Sequence, residues 1–135
     1  MNRNKQLRWW GKNLRGLAQG GLLYGLRDEP DMARYNRMME IAQELLDKTA
    51  EIDEEQAESV AQKLLGKNAG MTEEEAMSMA LDLLGGSDDI SDEQVKTWGK
   101  ELVEMAEIGV VEGHETMFDL SRYQSVLEMG KEMQN

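Results

Sequence analysis

Two short elements of this 135-residue chain have the residue types needed to recognise an anion: Asp31-Met-Ala-Arg34-Tyr35 and Asp119-Leu-Ser-Arg122-Tyr123. Each sets a carboxylate one helical turn before a guanidinium and places a phenol beside it. Arginine forks bind phosphate or carboxylate groups bidentately, and aromatic rings add stacking faces. With Trp10, Tyr24 and Trp98, the candidates for ligand or partner binding are Trp10, Tyr24, Asp31, Arg34, Tyr35, Trp98, Asp119, Arg122 and Tyr123. A plainer reading takes precedence. It is a local Asp–Arg ion pair at the positive end of a helix dipole, with a tyrosine whose ring packs while its hydroxyl reaches a partner.

Other chemistry is poorly served. There is no cysteine and one histidine, His114, which excludes disulfides, thiolate nucleophiles and Cys/His zinc sites. His114 has no evident serine or cysteine partner, and no glycine-rich phosphate loop ends in Lys-Ser or Lys-Thr. The acidic stretch GGSDDISDEQ, residues 85–94, lacks the ligand alternation and closing glutamate of a calcium loop. No catalytic residue, metal or cofactor is expected, and the chain reads as a non-enzyme.

The net charge is −12, but residues 1–27 carry six basic side chains and no acid, leaving −18 on the remainder. Complementary fields that orient the chain on itself or on a second copy explain this best; a basic arm for an anionic surface is the sharper alternative. An acidic body is a poor footprint for duplex nucleic acid. No run of 18 apolar residues occurs, and Lys12, Asn13 and Arg15 break any signal-peptide core, so a cytoplasmic protein without a transmembrane segment is expected. Most of the 11 methionines suit irregular core packing, with an adaptable partner groove as the second reading.

The elements that must position these residues are helices. Proline is nearly absent, and Leu, Met, Ala, Glu, Gln and Lys predominate over aromatic and β-branched residues. Asp53…Gln56, Thr72…Glu75 and Ser91…Gln94 have capping-box spacing, Pro30 suits a first helical turn, and Gly66 and Gly85 stand where left-handed residues could close helices. Six helices follow, at about 4–25, 29–47, 53–66, 72–85, 91–112 and 116–134. Leu7, Trp10, Leu14, Leu17, Gly21 and Tyr24 form one apolar stripe, and Val95, Trp98, Leu102, Met105 and Gly109 another. The following helices add Met32, Tyr35, Met38, Met39, Ala42 and Leu45, and Leu120, Tyr123, Val126, Leu127 and Met133. Glycine in mid-helix costs about 1 kcal/mol relative to alanine, so Gly21 and Gly109 mark places of close approach.

A shift of 88 places aligns the two ends without a gap, with 13 identities in 39 positions. Paired Trp-Gly-Lys and Asp-x-x-Arg-Tyr at one constant shift indicate an internal duplication. The expected architecture is one all-α domain over residues 1–135, a six-helix bundle of two pseudo-twofold-related αα-hairpins, residues 1–48 and 89–135, joined by a central helix pair at 49–88.

Ala18-Gln19, Gly21-Leu22-Leu23-Tyr24, Asp31-x-x-Arg34-Tyr35 and Ile41-Ala42-Gln43-Glu44-Leu45-Leu46 follow one another in residues 17–48. This succession resembles the helical N-terminal domain found ahead of the catalytic domain in a group of bacterial Nudix hydrolases. The second repeat follows it more weakly, since Gly109-Val110-Val111-Glu112 departs from the pattern. The resemblance implies an accessory role, dimerising and positioning substrate for enzymes acting on nucleoside diphosphate derivatives. The metal-binding Nudix signature is nowhere in the 135 residues, so the hydrolytic activity does not transfer. The function expected is a noncatalytic interaction or regulatory module with a protein partner or self-association. The alternative is an accessory binder of a nucleotide-like or other small anion, working with a separate Nudix hydrolase.

Overall fold

The computed structural model describes residues 3–49, 53–84 and 90–135, and its elements are six α-helices. They are α1 (Arg3–Tyr24), α2 (Glu29–Asp47), α3 (Glu54–Lys67), α4 (Glu73–Leu84), α5 (Asp92–Glu112) and α6 (Met117–Gln134). The all-α expectation holds, and the boundaries lie where the capping residues put them. Asp53 Oδ1 accepts from Glu55 N at 3.0 Å, Thr72 Oγ1 from Glu75 N at 3.1 Å and Ser91 Oγ from Gln94 N at 3.1 Å, each satisfying a donor that the helix itself leaves orphaned. Pro30 lies in the first turn of α2, where its missing N–H costs nothing. Gly66 does not close a helix as expected. It lies inside α3, which ends at Lys67 with Asn68 as its cap, and the left-handed glycine comes later, at Gly70 with φ +87°. Gly85 lies outside the described residues.

Helices α1 and α2 pack as one antiparallel hairpin and α5 and α6 as another, and the hairpins meet along α1–α6 and α2–α5. Contacts along each pair give the register. Trp10 of α1 reaches Glu132 of α6 while Gly20 lies against Arg122, and Arg34 of α2 reaches Glu112 of α5. Both hairpin turns, near residues 25–28 and 113–116, therefore sit at the same end of the bundle. At the opposite end Arg3 donates to Asp92 and to the Ile90 carbonyl, and Lys5 lies 3.9 Å from Glu54. Arg8 donates to the carbonyls of Leu46 and Thr49 at 3.1 and 3.0 Å, at the close of α2. The basic first helix thus faces the acidic first turns of α5 and α3 and the carbonyl end of α2, which is how complementary fields orient a chain on itself.

One continuous core fills the space between α1, α2, α5 and α6, with Leu14, Met38, Ile41, Leu45, Leu102 and Val126 wholly buried. The stripes run slightly off the expected line. Gly11 and Ala18 are buried where Leu17 is only partly so, and Met32 and Tyr24 are exposed. Gly11 causes part of this shift: a Cβ there would lie 3.0 Å from Leu46 Cγ, so α1 is drawn against α2 on its glycine face.

Helices α3 and α4 pack on each other around a separate small cluster, in which Ala61, Ala76 and Ala80 are the buried residues. Alanine burial removes far less apolar surface than leucine burial, so this pair has a weaker hydrophobic hold than the four-helix core. Amide exchange in α3 and α4 should therefore precede that in α1, α2, α5 and α6 under native conditions. Hydrogen-exchange mass spectrometry checks this, and equal protection throughout would show the six helices opening as one unit. No helix among the described residues is long and apolar enough to cross a membrane.

Candidate functional site

The polar centre of the bundle is built on two stacked tyrosines. Tyr35 and Tyr123 are fully buried, with ring centroids 5.1 Å apart and planes inclined by 24°. Glycines make the room. A Cβ on Gly21 would lie 2.2 Å from Tyr35 Cζ, and one on Gly109 would lie 2.3 Å from Tyr123 Cδ1. Those distances are far inside van der Waals contact, so only glycine lets α1 and α5 lie against the rings.

The arginines cross between hairpins. Arg34 Nε donates to the Tyr123 hydroxyl at 3.0 Å, with its guanidinium 5.5 Å over the same ring. Arg122 Nε donates to the Tyr35 hydroxyl at 3.4 Å. Each repeat's arginine therefore serves the other repeat's tyrosine. Tyr123 Oη in turn donates to Asp31 Oδ1, and Arg34 lies 3.8 Å from that carboxylate and 3.9 Å from Glu112. Arg122 pairs with Asp119 on its own helix.

The two aspartates occupy equivalent places in the repeat and have different surroundings. Asp119 is the third residue of α6, and its Oδ2 accepts from Glu115 N, Thr116 N and Thr116 Oγ1, each at 3.2 Å. Thr116 Oγ1 accepts in return from Asp119 N at 3.3 Å, completing a capping box. In the first repeat Asp28 caps α2 by accepting from Asp31 N at 2.8 Å, but its side chain donates nothing back to Asp31, and the preceding Arg27 is left-handed at φ +64°. Asp31 Oδ2 is consequently buried with no hydrogen-bond partner among the described residues.

Six of the nine candidate residues are brought together here: Asp31, Arg34, Tyr35, Asp119, Arg122 and Tyr123. The other three are not. Trp10 lies 11 residues before Gly21 on α1, which is about 16 Å along the helix, and its Nε1 donates to Glu132 at 3.2 Å. Trp98 stands equally far before Gly109 and is buried in the apolar core. Tyr24 faces solvent at the hairpin turn. The pairings with Glu112 and Glu132 join residues far apart in sequence and left no local signal; the Thr116-x-x-Asp119 cap has a legible one.

Electrostatically the centre is closed. Both guanidiniums are nearly covered, with side-chain exposures of 11% and 13%, and their donors face phenols and carboxylates of the chain itself. A phosphate would have to displace these partners, so the arrangement gives no support to two separate anion sites. Burial pushes the phenols of Tyr35 and Tyr123 above the ordinary value of 10.0; for Tyr123 the neighbouring Asp31 charge adds to the rise. Burial also works against ionised Asp119, yet the N–H groups of Glu115 and Thr116, the Thr116 hydroxyl and Arg122 together hold its carboxyl below the ordinary 3.8.

These shifts set a pH dependence. A phenol raised on folding contributes stability that is fully present below its unfolded pKa and lost as pH rises towards its folded pKa. Unfolding free energy should therefore fall above pH about 10, by up to about 1.4 kcal/mol per pH unit for each buried tyrosine. Asp119, lowered on folding, contributes stability that is present above its unfolded pKa and lost as pH falls below it. Urea titrations across pH, followed by tyrosinate absorbance, test the alkaline arm, and a flat stability through that range would contradict it.

Chemically, these bonds join two helical hairpins through a shared aromatic and ionic centre, an all-α pairing arrangement. In keeping with it, residues 5–61 match the family model of the Nudix N-terminal domain, described as the UDP-X-like, N-terminal oligomerisation domain. The match covers α1, α2 and the first half of α3 and bears out the resemblance read from residues 17–48. No catalytic Nudix domain is evident in the 135 residues. No curated protein and no solved structure matches the chain.

Proposed function

We propose that this chain is a noncatalytic helical interaction module that self-associates. The observation that carries the reading is the match of residues 5–61 to an oligomerisation domain. Two features support it: the arginine forks that could have held a ligand are engaged inside the chain, and large apolar side chains remain on the outside. Residues 1–48 and 89–135 act as two related hairpins about an approximate twofold axis, with 49–88 as the connecting unit. The constant shift of 88 places and the reciprocal Arg34–Tyr123 and Arg122–Tyr35 bonds are what such an axis would produce.

Sedimentation equilibrium of the full chain over a range of concentrations tests self-association, and a mass fixed at that of one chain would refute it. A thermal-shift panel of nucleotides and nucleotide sugars tests the noncatalytic part. The melting temperature should stay unchanged, because a ligand that bound the folded form would raise it.

A further inference from the structure

We infer that the turn end of the four-helix bundle is the surface on which a second copy of this chain docks, head to head. The inference rests on the self-association proposed above and names where that association takes place. The two hairpin turns meet at this end, and the large apolar side chains around them are not folded inward. Tyr24, Val111, Met117 and Phe118 are 78–80% exposed and Leu23 is 60% exposed. Met32 and Ile108 extend the patch down the sides of α2 and α5. Packing within the chain leaves Leu23, Tyr24, Val111, Met117 and Phe118 largely uncovered and covers Met32 and Ile108 only in part. The tyrosine lock lies beneath them and is already sealed, so turning them inward would gain nothing.

Area selects the occupant. Seven such side chains present on the order of 700 Å² of accessible surface, more than the roughly 300–600 Å² of the largest apolar patch on a typical monomer. It approaches the roughly 800 Å² per partner that a stable interface buries. Leu23 and Val111 occupy the same place in the repeat, so the surface has apolar groups on both hairpins. Such a surface suits an isologous contact, in which the same patch faces itself. The charge around it argues against a membrane or nucleic acid. Asp28, Glu29, Glu104, Glu107, Glu112 and Glu115 are exposed near this end, with Arg27 as the exposed cation among them. An anionic surface would be repelled. Two copies would be repelled weakly too, so their association should strengthen as salt screens the rim.

The test compares the wild-type chain with Val111→Gln/Phe118→Gln, which removes apolar surface without adding charge. Met79→Gln/Leu83→Gln, on the exposed face of α4, serves as the control. Sedimentation equilibrium should give a wild-type dimer that tightens with added sodium chloride. The dissociation constant should rise at least about 30-fold in the end-surface variant, as for loss of one interfacial hot spot, and stay unchanged in the control. Circular dichroism should be the same for all three, and so should thermal melting at concentrations where all are monomeric, since every altered residue is exposed and a dimer would itself raise the melting temperature. A wild-type dimer that the end-surface variant leaves intact would overturn this surface while self-association stands. A wild-type chain that remains monomeric at high concentration and high salt would remove both. Binding of the monomeric chain to phosphatidylcholine vesicles, lost in the end-surface variant, would assign the patch to lipid and likewise overturn the inference.

Discussion

Gly21→Ala should destabilise the fold by about 2 kcal/mol or more even though alanine is the better helix former. The substitution gains up to about 1 kcal/mol of helix propensity and loses more to overpacking, which costs about 1–3 kcal/mol where neighbours can yield and more where they cannot. Here they cannot yield easily. The added carbon would lie 2.2 Å from Tyr35 Cζ, and the ring is held from behind by Tyr123 at 5.1 Å. Gly109→Ala should behave alike, because Tyr123 stands 2.3 Å from the corresponding carbon. The double variant should be less than additive, since either change already disturbs the shared ring stack. Gly16→Ala supplies the opposite sign. Its added carbon has no neighbour within 4 Å, so it should stabilise by up to about 1 kcal/mol. Thermal melts of the three single variants decide the matter. A Gly21→Ala chain melting above wild type would show that the ring contact does not constrain α1.

The equivalent aspartates should respond differently to the same change. Asp119→Asn should cost about 2–3 kcal/mol, because hydrogen bonds to a charged group are strong and a buried donor facing a donor is penalised. In Asp119 one oxygen faces the two N–H groups and the hydroxyl of the Glu115–Thr116 cap, and the other faces Arg122. Either orientation of an asparagine sets its amide nitrogen against donors. Asp31→Asn should cost less than Asp119→Asn: one oxygen can still accept from Tyr123, the amide replaces an oxygen that has no partner among the described residues, and Arg34, which loses the Asp31 charge at 3.8 Å, keeps Glu112 at 3.9 Å. Removing the Asp31 charge also removes one cause of the raised Tyr123 phenol, so tyrosinate should form at lower pH in that variant. Urea denaturation of the two variants, with a phenol titration of Asp31→Asn, measures both effects. Equal costs would mean that the capping donors contribute little to holding Asp119.

Much of this molecule is legible in its sequence because the relevant interactions are local. Helix periodicity, the caps at Asp53, Thr72 and Ser91, and the proline in the first turn of α2 each depend on residues a few positions apart, so composition and spacing suffice to place them. The family likeness has the same origin, being carried by a contiguous run within residues 17–48. The constant shift of 88 places singles out Gly21, Gly109 and the two Asp-x-x-Arg-Tyr elements from the sequence alone.

Which residues those elements would meet depended on tertiary structure. Spacing pairs Arg34 with Asp31 and Arg122 with Asp119, but it does not reveal that each arginine reaches across to the tyrosine of the other repeat, 87 or 89 residues away. Nor does it reveal that Trp10 and Trp98 stand about 16 Å along their helices from the ring stack, or that Tyr24 leaves the apolar stripe for the surface. The sequence by itself determined the six helices and the capped starts of α3, α4 and α5, because backbone hydrogen bonding and side-chain periodicity act over one or two turns. The structure alone decided that the guanidinium forks close on the chain's own phenols, that α3 and α4 keep a core of their own, and that both hairpin turns lie at one end of the bundle. The physical reason is that each depends on how whole helices pack, and packing is set by the shape of all the contacting surfaces at once.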